Sequence, residues 1–150
     1  MKLAEALQER ADIVRRIDRL RARLSRNATV QEGEKPAEDP AELMKELDAC
    51  VMRLEELMAR INKTNCTVSV DGKTLTELIA RRDALSLQLS AYRSFLDSAS
   101  SLSVRATRNE IKILPTVNVR ELQKKVDDMS RDLRLIDNAL QKANWTAELM

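Results

Sequence analysis

Two glycines and three prolines are all that punctuate 150 residues. A chain so short of turn formers can reverse direction only a few times, so its elements must be long. The apolar residues show what those elements are. Leu43, Leu47, Cys50, Leu54, Leu57 and Ile61 fall at alternating steps of four and three without a gap, the repeat of a helix packed along a seam. Aromatic residues make up only 2% of the chain, so the core must be built from Leu, Ile, Val, Ala and Met.

The same reading locates four helices. The first spans about 2–26, with Leu3, Leu7, Val14, Ile17 and Leu24 on its stripe and Ile13 and Leu20 widening it. Asp39, Pro40 and Glu42 supply a cap, a first-turn proline and a box residue, which starts a second helix over 40–62. Thr74 with Glu77 starts a third over 75–98, whose seam is Leu75, Leu78, Leu85, Leu89, Tyr92 and Leu96. Asn118 with Glu121 starts a fourth over 119–143, with Leu122, Val126, Met129, Leu133, Ile136 and Leu140 inward. The expected fold is mainly α: a single domain over 1–150 of two antiparallel helical hairpins, bundle-like or coiled-coil-like. Thr67–Val70, followed by Asp71-Gly72, and Glu110–Leu114, stopped by Pro115, read as short strands. They would form a small two-stranded ribbon at the 62–74 and 100–118 connections.

The stripes are wider than a strict seam, since Val51, Met58, Ile79, Leu87 and Leu135 lie beside or off the main rows. Such width calls for more than one packing partner per helix and points to a homo-oligomer.

Net charge is +2 but unevenly spread: residues 1–26 carry eight bases against four acids, residues 27–62 four against nine. Arg15, Arg16, Arg19, Arg21, Arg23 and Arg26 crowd the end of the first helix. Phosphate contact is one reading. The other is pairing with Glu38, Asp39, Glu42, Glu46 and Asp48, which an antiparallel hairpin lays alongside them. No aromatic side chains are interleaved to stack on bases, so the internal partner is favoured over nucleic acid. Asp12–Arg16, Glu56–Arg60, Glu77–Arg81 and Asp127–Arg131 are expected as pairs along solvated helix faces.

Catalytic equipment is scarce. The chain has no histidine, so the usual Cys/His zinc site cannot be closed within it and no base is at hand to activate a thiol. Neither metal nor cofactor is expected, and no enzyme. Cys50 falls on a seam as a small core residue, while Cys66 lies in a polar connection. Three Asn-X-Thr triplets, at Asn27, Asn65 and Asn144, match the glycosylation pattern. Charged residues precede any apolar stretch, so no export signal is read and the triplets are taken as chance. No apolar run approaches the roughly 20 residues that span a bilayer. The expected setting is the cytoplasm, with no membrane partner.

What remains for function is in the connections. Arg105, Arg108 and Lys112 form a basic cluster in the third. On a strand, Arg108 and Lys112 would share a face with Glu110 between them, where charge also protects an exposed edge. With Glu32 and Glu34 in the first connection and Asn65 and Cys66 in the second, they make up the candidate partner-binding set.

Several words of the chain carry a resemblance: Met1-Lys2-Leu3-Ala4-Glu5-Ala6-Leu7, Val30-Gln31-Glu32-Gly33-Glu34, Thr64-Asn65-Cys66, Leu75–Asp83, Glu110-Ile111-Lys112 and Asn144-Trp145. Together they resemble the septicolysin-like family of small bacterial proteins. The resemblance implies a bacterial, full-length, single-domain protein and, by the family's name, a haemolysin. The leading expectation is a non-enzymatic helical protein that self-assembles or binds a protein partner. A membrane-active pore former and a nucleic-acid-binding helical arm are the rivals.

Overall fold

The computed structural model describes residues 1–101 and 112–150. It is mainly helical: α1 (Leu3–Arg26), α2 (Pro40–Thr67), α3 (Leu75–Ser100) and α4 (Val119–Thr146), with β1 (Ser69–Val70) and β2 (Lys73–Thr74) between α2 and α3. Each start follows from its cap. Glu5 accepts from the Lys2 N–H at 2.7 Å, and Asp39 accepts from the Ala41 N–H at 3.0 Å ahead of Pro40. Thr74 and Glu77 close a reciprocal box, and Asn118 accepts from the N–H groups of Arg120 and Glu121.

The chain divides into two compact units, Met1–Ser69 with Ala143–Met150, and Val70–Lys142. In the first, α1 and α2 run antiparallel around Leu20, Leu43 and Cys50, with Ile13, Ile17, Leu24 and Leu47 packed against them. Asn27 closes this hairpin. Its amide donates to the Arg23 carbonyl at 2.8 Å, and its side-chain oxygen accepts from the Glu38 N–H at 3.0 Å. The last residues of the chain complete the unit. Leu3 N–H donates to the Ala147 carbonyl and Leu149 N–H to that of Met1, and Leu3, Ala6, Leu57, Ile61 and Leu149 are buried.

In the second unit, Leu85, Leu89 and Leu96 of α3 pack with Leu122, Val126 and Met129 of α4. Leu78, near the start of α3, lines a hollow with Ile136 and Ala139, late in α4, whereas Lys125, earlier in α4, lies 4.8 Å from the ring centre of Tyr92, later in α3, so these two helices also run antiparallel.

The helices overrun their expected ends. α3 continues to Ser100, α4 to Thr146, and α2 to Thr67, through residues 62–67, where a connection was expected. Thr64 explains the last of these. It continues the buried row of Leu57 and Ile61, is itself fully buried, and satisfies its hydroxyl by donating to the Arg60 carbonyl at 2.8 Å. The expected ribbon is present, but both of its strands flank Asp71-Gly72. Asp71 and Gly72 have φ of 50° and 81°, which a two-residue turn between right-twisted strands requires. In the third connection, residues 112–114 form no strand, and Arg105, Arg108, Glu110 and Ile111 lie outside the described residues.

Candidate functional site

The two long edges of the α1–α2 hairpin differ. One is sealed by charge. Arg53 grips Glu9 with two parallel bonds of 2.7 and 3.0 Å, Arg16 binds Glu46 at 2.7 Å, and Arg23 binds Glu38. Glu9, Arg16 and Arg23 are seven residues apart, as are Glu46 and Arg53, so each pair repeats at the same place on the interface. Hydrogen bonds from the arginines hold the Glu9 and Glu38 carboxyls below the usual carboxylate range. Glu56 is lowered the same way by Arg53, which bonds it at 2.8 Å and is itself raised. Such exposed pairs add little stability each. Their value lies in fixing which residues of α1 lie opposite which of α2.

The other edge is apolar. Successive helical residues are rotated by about 100°, so the row Met44, Val51, Met58 lies beside the buried row Leu43, Cys50, Leu57, on the side away from Glu46 and Arg53. Val14 and Leu7 take the matching side of α1, away from Glu9, Arg16 and Arg23. Because the helices are antiparallel, the two ion-paired sides coincide, and so do the two apolar ones. Met44 is 51% exposed, Val51 and Met58 47% each, and Val14 45%. α2 thus carries two overlapping seams. The one facing α1 is Leu43, Leu47, Cys50, Leu54, Leu57 and Ile61. The other, Met44, Leu47, Val51, Leu54, Met58 and Ile61, keeps the same rhythm but faces outward along half its residues. α1 has a matching second seam through Leu3, Leu7, Val14, Ile17 and Leu24, with Arg10 and Arg21 in its two remaining slots.

A hollow of about 520 Å³ lies on the charged edge, lined by Glu9, Ile13, Arg16, Arg19, Glu46 and Arg53 among others. Its charged groups largely bond one another. Among the described residues no group of three His, Cys, Asp or Glu side chains is placed to hold a metal ion, and no helix is long and apolar enough to cross a membrane.

Residues 10–149 match the model of a family of unknown function (DUF6847). The chain belongs to that family. It is also similar to a solved structure, the crystal structure of a functionally unknown conserved protein from Corynebacterium diphtheriae. The two are 38% identical, with a TM-score of 0.90, and the alignment covers 100% of this chain and 99% of that one. No curated protein matches the chain.

Within the first unit, the candidate partner-binding residues of this DUF6847 member lie at opposite ends of α2. Glu32 and Glu34 are exposed on the connection before α2, where the Glu34 N–H donates to the Gln31 carbonyl at 3.0 Å. Asn65 and Cys66 lie in the last turn of α2, at the far end of a helix about 40 Å long. Asn65 is half-buried, and Cys66 is an exposed thiol, whereas Cys50 is buried as expected. Lys112 is exposed, and Arg105 and Arg108 lie outside the described residues. In the arginine-rich stretch, Arg16 and Arg23 pair with α2, while Arg15 and Arg21 turn to Asp12 and Asp18. Of the expected i,i+4 pairs, Glu56–Arg60 forms; Asp12 takes Arg15, Glu77 caps Thr74, and Arg131 takes Asp128.

The lowered carboxyls give a pH prediction with a definite sign. Their stabilisation is present above the unfolded glutamate value of about 4.3 and is lost as pH falls through the lower folded values. The thermal midpoint of the first unit, read from Trp145, the chain's only tryptophan, should hold from neutrality to about pH 5 and then drop. Glu9→Gln should shallow that drop.

Proposed function

We propose that this protein works by association rather than catalysis, as a helical self-assembly module whose α1–α2 hairpin supplies the contact surface. One observation carries the reading: α2 repeats a complete second heptad seam, and Met44, Val51 and Met58 in it are half exposed. Isolated surface hydrophobics are ordinary, but a row seven residues apart along one helix edge is the pattern of a packing seam. The opposite edge of the same hairpin is closed by ion pairs, so the apolar edge is the one left for a neighbour. An intracellular role in assembly, with no cofactor, suits such a surface. Sedimentation equilibrium at micromolar concentration should return a multiple of the 17.1 kDa chain mass. A monomer throughout that range would overturn the reading.

A further inference from the structure

The apolar edge is bordered by three charged groups that form no ion pair among the described residues. Arg10 occupies a slot in the second seam of α1. Asp48 and Glu55 flank Met44, Val51 and Met58 on the side of α2 turned away from α1. All three are exposed. The registers of these groups are tied by the other edge. Glu9 is bonded to Arg53, so Arg10 sits at the level of Met52 on α2. Asp48 is four residues from that level in one direction and Glu55 three in the other. Along the helix this is about 6 Å and 4.5 Å, within reach of an arginine side chain.

Resting on the self-assembly reading above, we propose that the occupant of this edge is a second copy of the chain, docked about a two-fold axis parallel to the helices. In that arrangement each α2 lies in the groove between the α1 and α2 of the other copy. The two α2 helices then meet in parallel register through Met44, Val51 and Met58. Each α2 also runs antiparallel to the second copy's α1, the direction it already takes against its own. A two-fold axis along the helices leaves every residue at its own level. Arg10 of one copy therefore arrives between Asp48 and Glu55 of the other, twice per dimer. The apolar row supplies the driving force, and the charges select the register and the partner.

Charge reversal tests this without touching the buried row. Arg10→Glu sets an acid against Asp48 and Glu55, and Asp48→Lys with Glu55→Lys sets bases against Arg10. Each variant alone should weaken association at least about tenfold while leaving the helical circular dichroism unchanged. Mixing the two variants should restore a dimer of the wild-type mass, because the mixed pair regains attraction at both contacts. A wild-type dimer that neither variant weakens would overturn this docking mode and leave self-assembly standing on another face. Variants that weaken but do not rescue one another would overturn the pairing of Arg10 with Asp48 and Glu55. A monomeric wild type would overturn both the docking mode and the reading beneath it.

Discussion

Leu57→Ala should lower the stability of the first unit by about 2–5 kcal/mol, the usual cost of emptying a buried leucine site. Leu57 is fully buried in α2, in the row that also holds Leu43 and Cys50. The removed methyls lose their transfer free energy, and the neighbouring helix closes the gap only in part. Val51→Ala makes the contrast. Val51 lies in the adjacent row and is 47% exposed, so below the association range its truncation should change stability by no more than about 0.5 kcal/mol. Urea unfolding followed by Trp145 fluorescence reads both, since Trp145 belongs to the same unit. A large loss at both positions would mean that the outer row is already buried against something in the single chain.

Thr64→Val should cost about 1–3 kcal/mol, although the two side chains have nearly the same shape. The Thr64 hydroxyl donates to the Arg60 carbonyl at 2.8 Å and accepts from the Met150 N–H at 3.0 Å. Arg60 then donates from Nε to the Met150 backbone oxygen at 2.8 Å. One fully buried hydroxyl thus ties the last turns of α2 to residues 147–150, which also bridge to Met1 and Leu3. Valine removes the acceptor and leaves the Met150 N–H without its partner. Hydrogen exchange should show the loss first at Leu149 and Met150, and at the Leu3 N–H that donates to Ala147.

Thr64 also marks where sequence reading stops. The four helices are legible because the 4-3 rhythm and the caps Asp39, Thr74 and Asn118 are local signals. Asn62, Lys63, Thr64, Asn65, Cys66 and Thr67 carry no such rhythm and several are poor helix formers, so a connection is the natural expectation there. Helix persists where Met150, 86 residues from Thr64, donates its N–H to the Thr64 hydroxyl, and no local window contains that information. The ribbon shows the converse. Asp71-Gly72 is a strong local turn signal, and a two-residue turn pairs the strands on either side of it rather than a distant one.

The candidate surface was half legible. Val51 and Met58 stand out in the sequence as apolar residues beside the main row, and Glu9, Arg16 and Arg23 are visibly seven apart. Which of the two overlapping seams faces α1 depends on where the ion pairs fall, however, and Glu9 with Arg53 joins residues 44 apart. Once that edge is closed, the remaining row must be the outward one. In the sequence Glu32, Glu34, Asn65 and Cys66 fall in expected connections, which so often carry function, but Asn65 and Cys66 belong to the last turn of α2. Here a helix edge has the stronger physical case, since it combines apolar area, periodicity and charges that form no ion pair among the described residues.

The most direct measurement is sedimentation equilibrium of the wild-type chain beside Val51→Glu, at neutral pH and over a range of micromolar concentrations. The wild type should show a mass of twice 17.1 kDa and the variant the single-chain mass, with equal helical content in both. A monomeric wild type, or a variant that assembles as well as the wild type does, would contradict self-assembly through the apolar edge.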